Sequence, residues 1–241
     1  MTSIIILCCN ALEYTKPCIQ SLKRCTHAYD LIVVDNGSTD GTRAYLETLN
    51  ATLVANDTNL GFAGGVNSAL AALPPGNDVC LLNNDTILTH GWLERLEQAL
   101  QRHPRLGIVG PRSNAVGGSQ MVKAPYRTDS EMVNFARWLR KTEHHRITTL
   151  QMVVGMCMLI RRAALDEIGG LDERFATGNF EDNDLCHRAT VAGWEIAMVH
   201  DSYVHHFGGR TFQALGLDYG ALFAENQVRF AEKWAKEAAC V

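Results

Sequence analysis

The stretch Val79 to Asp85, Val-Cys-Leu-Leu-Asn-Asn-Asp, constrains this chain more than any other. Its four apolar residues read as a short buried strand, and a polar tip ending in a carboxylate follows at once. Trp92, Leu93, Leu96, Ala99 and Leu100 then recur at helical spacing, so a helix follows the tip. Strand, polar tip and helix form the repeating unit of an α/β sheet, in which ligands sit beyond the carboxyl ends of the strands. Asp85 therefore stands where a ligand or a metal would be held. Asn83, Asn84 and Asp85 also suit a plain turn or helix cap, and this stretch alone leaves both readings open.

The residues before it repeat the unit. Ser3 to Cys9 is a near-continuous apolar run ending at Asn10, as in a central parallel strand covered on both faces. A helix over Tyr14 to Arg24 follows, then a strand at Leu31 to Val34 that ends in Asp35-Asn36-Gly37-Ser38-Thr39-Asp40-Gly41. A helix from Thr42 to about Leu49 leads to a third strand, Thr52 to Ala55. The loop Asn59-Leu60-Gly61-Phe62-Ala63-Gly64-Gly65-Val66-Asn67 opens a helix over Ala63 to Leu73, closed by Pro74-Pro75-Gly76. That loop lacks the full Gly-x-Gly-x-x-Gly of dinucleotide folds and the Gly-Lys-Ser/Thr of phosphate loops. Its place before a helix still suits a phosphate or ribose; the competing reading is a tight loop packing helix on sheet. Four such units in about 100 residues predict an open, mostly parallel α/β sheet flanked by helices, with a crevice along one edge.

The second half changes character. Ile108-Val109-Gly110 reads as a strand, and Arg112 to Thr128, rich in Gly, Ser, Asn and Pro, as a mobile loop. A helix over Asp129 to Arg140 precedes a long strand, Met152 to Ile160, whose Gly155 marks a bulge or a close backbone approach. A short helix over Ala163 to Ile168 comes next, followed by Phe180-Glu181-Asp182-Asn183-Asp184 ahead of a helix starting near Leu185. Ile196 to Val199 is a strand, and Tyr203-Val204-His205-His206-Phe207-Gly208-Gly209-Arg210-Thr211 lies beyond it. Leu222 to Lys236 forms a last amphipathic helix. We expect one domain over 1–215, with a nucleotide half (1–110) and an acceptor half (111–215), and a C-terminal helix over 216–241.

Composition narrows the partners. A net charge of −4 gives no electrostatic case for nucleic acid. The eight cysteines form no Cys-x-x-Cys pair, so they suggest neither a zinc site nor a redox motif; reduced thiols in the cytoplasm fit best. Ile4 to Cys9 is too short for a membrane span or a signal-peptide core. Acids and imidazoles gather at element ends in three places: Asp35, Asp85, and Glu181-Asp182 with His205-His206. Each cluster has an ordinary reading as a cap or a strand end, whereas the three together suggest a metal-dependent active site.

The order of these motifs resembles the family 2 inverting glycosyltransferases, nucleotide-sugar enzymes of the GT-A fold. Ile4-Ile5-Ile6 through Asn10, the Asp35 loop, the Asn59–Asn67 loop, Asn83-Asn84-Asp85, the Asp182 segment and Val204 to Gly209 carry the likeness, which spans about residues 3 to 212. Within the family the pattern is similar to the rhamnosyltransferase-like group, which points to cell-wall or surface polysaccharide synthesis. The resemblance implies that Asp35 accepts from a pyrimidine base, with Asn10, Asn36 and Ser38 around the ribose. It implies that Gly61, Phe62, Gly65 and Asn67 line the nucleotide, that Asn83 and Asn84 bind the nucleotide-sugar through ribose or metal-bound water, and that Arg210 meets the diphosphate. Asn83 replaces the first acid of the family's Asp-x-Asp, leaving Asp85 as its only carboxylate. Asp85 with His205, or else His206, would then hold a divalent cation, Mn2+ or Mg2+, and a carboxylate–imidazole set favours manganese. Asp182 occupies the position of the catalytic base, with Glu181 and Asp184 as rivals.

The donor implied is a UDP- or dTDP-linked sugar. The acceptor is a glycan, a lipid-linked sugar or a peptide, and peripheral membrane contact stays open. A different class on the same fold, a nucleotide-sugar-binding protein with weak or no catalysis, is the alternative.

Overall fold

The computed structural model describes residues 1–175, 178–210, 213, 215–216 and 218–238; Thr211 and Cys240 lie outside that set. The N-terminal apolar run is β1 (Thr2–Cys8), and it sits inside a sheet. It pairs in parallel with β2 (Tyr29–Asn36) on one side. β3 (Thr52–Asn56) extends the sheet beyond β2, and β4 (Asp78–Asn83) pairs in parallel on the other side of β1. Alternation along β1 feeds two cores at once, because successive side chains point to opposite faces. Ile4, Ile6 and Cys8 pack into a cluster with Ile19, Leu22 and Trp92. Ile5 packs into another with Val34, Val66 and Leu185.

The helices between these strands are α1 (Leu12–Cys25), α2 (Thr42–Leu46) and α3 (Gly61–Leu70). The sheet continues through β5 (Thr86–Leu88), β6 (Leu106–Arg112), β7 (Ile147–Leu150), β8 (Cys157–Ile160) and β9 (Glu195–His206). The order is β3-β2-β1-β4-β8-β6-β9-β5, with β7 also on β9. β8 runs antiparallel to β4 and β6, and β5 and β7 run antiparallel to β9. The remaining helices are α4 (Trp92–Arg102), α5 (Asp129–Thr142), α6 (Arg162–Ile168), α7 (Glu181–Val191) and α8 (Tyr219–Ala238). α5 starts at a capping box in which the Thr128 side chain accepts from the Glu131 N–H and Glu131 reaches back to the Thr128 N–H.

Four local expectations are corrected. β5 lies between the polar tip and α4, because three residues are too few for periodicity to register. The strand expected over Met152 to Ile160 begins only at Cys157, and residues before it run irregularly past α7. α7 begins at Glu181 rather than Leu185, so Asp182 lies in its first turn. The segment Arg112 to Thr128 is pinned and not a free loop. Ser113 bridges Met121, and buried Gln120 donates to the Pro111 carbonyl (2.9 Å) and accepts from the Val154 N–H (2.8 Å). Gly110 makes room for this: a Cβ there would stand 2.2 Å from Val153 Cγ1 and 2.8 Å from Gln120 Nε2.

α8 is fastened to α7 by buried charge. Lys233 Nζ donates to Asp184 Oδ1 (2.6 Å) and to Asp172 Oδ2 (2.8 Å). Arg188 Nε donates to the other Asp184 oxygen (2.8 Å), and Asp184 is fully buried. Removing one partner of such a group leaves an uncompensated charge in low dielectric. Lys233→Met should therefore cost about 3 kcal/mol in urea unfolding, the low end for a buried ion pair because Arg188 remains. A loss under about 0.5 kcal/mol, the size of an ordinary surface substitution, would contradict this role.

Candidate active site

A cavity of about 1020 Å³ opens along the carboxyl ends of β1, β2 and β4. Asn36, Gly61, Phe62, Asn83, Asn84, Asp85, His206 and Arg210 line it, as do Gly155, Glu181 and Asp182. Ala115 to Gln120 also contribute to the lining. Most of the residues expected in a site are thus brought together. Asn10, Asp35, Ser38, Gly65, Asn67 and His205 are not in the wall, and each has another placement.

Asn10 and Ser38 knit two loops together. The Asn10 N–H donates to Ser38 Oγ (2.9 Å), and Asn10 Oδ1 accepts from the Thr39 N–H (2.7 Å). Asp35 is fully buried; its Oδ1 accepts from the Ser38 N–H, and its Oδ2 has no hydrogen-bond partner, with Arg43 Nε 4.0 Å away. Asn36 organises the Gly-rich loop. Its amide donates to Asn59 Oδ1 and the Gly61 carbonyl, and its oxygen accepts from Asn56 and the Leu60 N–H. Gly65 serves packing: a Cβ would meet Leu7 Cδ1 at 2.5 Å and Asn36 Nδ2 at 3.0 Å, so α3 could not lie so close to the sheet. Asn67 faces away and clamps the chain ahead of α7, donating to the Leu171 carbonyl and Glu173 while accepting from the Leu171 N–H.

Asp85 and His206 stand together in the cavity lining. β4 ends at Asn83, the chain turns through Asn84 and Asp85, and β5 pairs with the end of β9. Asn84 donates to Thr15 Oγ1, which anchors the turn to α1. His206 Nδ1 lies 2.6 Å from the Ala115 carbonyl, so that nitrogen carries the hydrogen. Nε2 then carries a second hydrogen in the imidazolium, paired with Asp85, or presents a lone pair in the neutral ring. It is buried without a hydrogen-bond partner, 3.0 Å from Asp85 Oδ1. Two acceptors facing each other this closely call for a proton or a cation between them. Burial works against charge on both groups, but each outweighs it for the other: the Asp85 carboxyl is held below its ordinary value and the His206 imidazole above it. This donor set fits a divalent metal. His205, expected as the likelier ligand, points elsewhere; its Nδ1 meets Tyr126 Oη at 2.6 Å. His144, His145 and Asp201 form another cluster, with ligand atoms within 4.8 Å of one another. It lies outside the cavity wall, and Arg95 Nε stands 3.7 Å from Asp201 Oδ2, which disfavours a cation there.

Asp182, also in the cavity lining, is placed by backbone donors. The Gly155 N–H reaches Oδ2 (2.9 Å), the close backbone approach expected at that glycine, and the Asn183 N–H reaches Oδ1 (2.8 Å). Burial raises the Asp182 carboxyl above its ordinary value despite these bonds. Glu181 rises further, through burial and then the neighbouring Asp182 charge, and its Oε2 has no partner. Asp184, the other rival, points instead into the ion-pair network of α8. Glu181 and Asn59 also line the cavity, and so do two α8 residues that no sequence motif marks, Tyr219 and Phe223. The last two stand four apart on a helix, a spacing that signals a shared face.

An α/β sheet with carboxylates and an imidazole gathered beyond its strand ends is the architecture of the GT-A fold. The chain superposes on GalNAc-T7 solved with UDP, GalNAc and Mn2+ with a TM-score of 0.67 at 14% identity, covering 86% of this chain and 43% of that one. It superposes on Staphylococcus aureus TarS 1–349 in complex with UDP-GlcNAc with a TM-score of 0.60 at 18% identity, covering 85% and 57%. The chain belongs to the family described as Glycosyl transferase family 2, whose profile matches residues 3–169. It is 30% identical over 207 residues to the N-acetylglucosaminyl-diphospho-decaprenol L-rhamnosyltransferase of Mycobacterium tuberculosis (strain CDC 1551 / Oshkosh), which covers 73% of this chain. The chain spans 66% of that relative's length.

The two histidines give a direct test. Mn2+ binding followed by electron paramagnetic resonance should weaken about 10- to 100-fold in His206→Ala, the usual range for losing metal-site support, and stay near wild type in His205→Ala. The opposite pattern would return the ligand role to His205.

Proposed function

We propose that this chain transfers a hexose from a nucleoside diphosphate sugar to an acceptor hydroxyl, with inversion and with the help of a divalent cation. The observation that carries the reading is that one cavity is lined by Asp85 and His206 and also by Asp182. The first pair suits a cation, and Asp182 suits a base.

Asp85 and His206 would hold Mn2+ or Mg2+, which supplies positive charge to a leaving diphosphate. Arg210 lies alongside: its N–H donates to Asp85 Oδ2 (3.3 Å), and its guanidinium stands 5.4 Å from the Tyr14 ring centre. From there it can meet phosphate oxygens. Asp35 lies buried behind the cavity lining, and its unpartnered Oδ2 would accept from the imide N–H of a uracil or thymine once the base displaces the side chains that cover it, with the Asn36-ordered Gly61 and Phe62 at the ribose. Asp182 takes the proton of the acceptor hydroxyl as that oxygen attacks the anomeric carbon. The bond from that carbon to the diphosphate oxygen breaks on the opposite face, and its electron pair leaves with the diphosphate. Burial keeps Asp182 dry and moves it towards the working range of a base. A pure binding protein has no use for a buried, raised carboxyl in the same cavity as the cation pair, which favours catalysis over the binding alternative.

The relative named for a diphospho-decaprenol acceptor supports a lipid-linked sugar as acceptor, in cell-wall or surface polysaccharide assembly. Work at the cytoplasmic face of a membrane, through peripheral contact, accords with that chemistry. No helix among the described residues is long and apolar enough to cross a membrane.

Nucleotide release measured against a panel of UDP-, GDP- and dTDP-sugars, with polyprenyl diphosphate N-acetylglucosamine as acceptor, tests the whole reading. Asp182→Asn should lose transfer by about 100- to 10,000-fold while still binding nucleotide. Because the Asp182 carboxyl sits above its ordinary value and must be ionised to act, wild-type turnover should fall with acidity at a pH above the usual carboxylate range. Near-normal turnover in Asp182→Asn with collapse in Glu181→Gln would move the role one residue.

Asp35→Ala should weaken UDP or dTDP binding by about 1–3 kcal/mol in calorimetry, the cost of an unpaired polar group in the complex. Unchanged affinity in a folded variant would take Asp35 out of the base site.

A further inference from the structure

We propose that α8 supplies the seat for the acceptor's sugar: Tyr219 and Phe223, together with Phe180, form an aromatic platform beside Asp182 that binds a pyranose ring. It rests on the glycosyl-transfer reading only in assigning that sugar to the acceptor.

All three rings line the cavity together with Glu181 and Asp182. Phe180 and Phe223 stand 5.0 Å apart between ring centres. Tyr219 and Phe223 stand 6.1 Å apart with their planes 31° from parallel, and Phe180 is tilted 54° to Phe223, so the three rings form a shallow cradle rather than a flat stack. Tyr219 is 51% exposed and Phe223 41%. Burial, and then the nearby charges of Asp182 and Glu181, raise the Tyr219 hydroxyl above its ordinary value.

The chemistry of the patch selects its ligand. A pyranose has a ring face of C–H bonds and an edge of hydroxyls. An aromatic face next to carboxyl groups meets both, by contact below and hydrogen bonds at the rim. A diphosphate or a nucleobase would fit worse here. Two buried acids repel the first, and the groups proposed for a base, Asp35 and Asn36, are at the end of β2 and not among these rings. A bare isoprenoid chain would leave the carboxyls unpaired.

The platform and the base are one rigid piece. Asn179 and Phe180 enter α7 with φ of 72° and 73°, a conformation that non-glycine residues hold only when their surroundings impose it. Asn226 of α8 imposes it, with its amide donating to the carbonyls of Phe175 (3.0 Å), Gly178 (2.9 Å) and Asn179 (3.1 Å). The ion pairs of Lys233 fix the far end of the same helix.

The test is saturation-transfer NMR on the full chain without nucleotide, with octyl β-N-acetylglucosaminide as probe. Ring protons of the sugar should receive strong saturation from the wild type. Tyr219→Ala and Phe223→Ala should each weaken binding about tenfold, in line with the loss of one aromatic contact. Tyr219→Phe, which keeps the ring, should bind as the wild type does. Both alanine positions are surface-exposed, and unchanged melting temperatures establish that the variants are folded. Saturation of the octyl chain alone, equal binding by wild type and alanine variants, or loss in Tyr219→Phe equal to that in Tyr219→Ala overturns the platform. UDP and dTDP calorimetry on the wild type is read separately. Failure there counts against the glycosyl-transfer reading and leaves the result on the platform standing.

Discussion

The site depends on a three-residue ladder. β5 pairs with the end of β9 in the register Thr86 to His206, Ile87 to His205 and Leu88 to Val204. Side chains alternate along a strand, so a slip of one residue would exchange the two histidines between faces. The register is held from several sides. Thr89 Oγ1 donates to the Tyr203 carbonyl (2.6 Å), and the Phe207 N–H donates to the Asp85 carbonyl (3.0 Å). Asn114 accepts from the His206 N–H (2.9 Å) and donates to its carbonyl (3.1 Å). Asp85 comes immediately before Thr86, so the ladder that orients His206 also fixes the approach of Asp85 to its ring nitrogen.

Much of this architecture is legible in the sequence, and the exceptions have physical causes. The doubly covered strands Ser3–Cys9 and Val79–Leu82 declare themselves as unbroken apolar runs, because nothing polar can be placed on either face. β5 cannot declare itself, since its stability comes from a partner more than a hundred residues away. Nor can α7 show its first turn. Glu181-Asp182-Asn183-Asp184 reads as a polar loop, yet acids are welcome where unpaired N–H groups and the helix dipole meet them. The pinning of the Arg112–Thr128 segment is hidden for a similar reason, since it rests on one buried glutamine, Gln120. Residue type located the site, whereas register decided which member of a pair enters it. Asn36 holds the Gly-rich loop at the cavity and Asn67 clamps a distant segment; His206 faces Asp85 and His205 faces Tyr126.

The cavity lining holds two sets of groups. In the proposed reading, the imidazole of His206, the guanidinium of Arg210 and the Asp85 carboxylate serve a cation and an anionic leaving group, and the two buried carboxyls with the aromatic rings serve a neutral, hydroxyl-rich partner. Replacing the first acid of the family motif with Asn83 leaves less negative charge to hold a cation, and places more weight on His206 and on the nucleotide's own phosphates. α8 binds these parts into one body, through Lys233 at its far end and Asn226 near the cavity.

The central claim is that Asp85 and His206 share a divalent cation with a nucleotide diphosphate. Crystals grown with UDP and Mn2+, measured at the manganese absorption edge, test it most directly. The account predicts one anomalous peak within bonding distance of Asp85 and His206 Nε2, with the diphosphate beside it. A peak at His144, His145 and Asp201, or UDP bound with no manganese between Asp85 and His206, would contradict it.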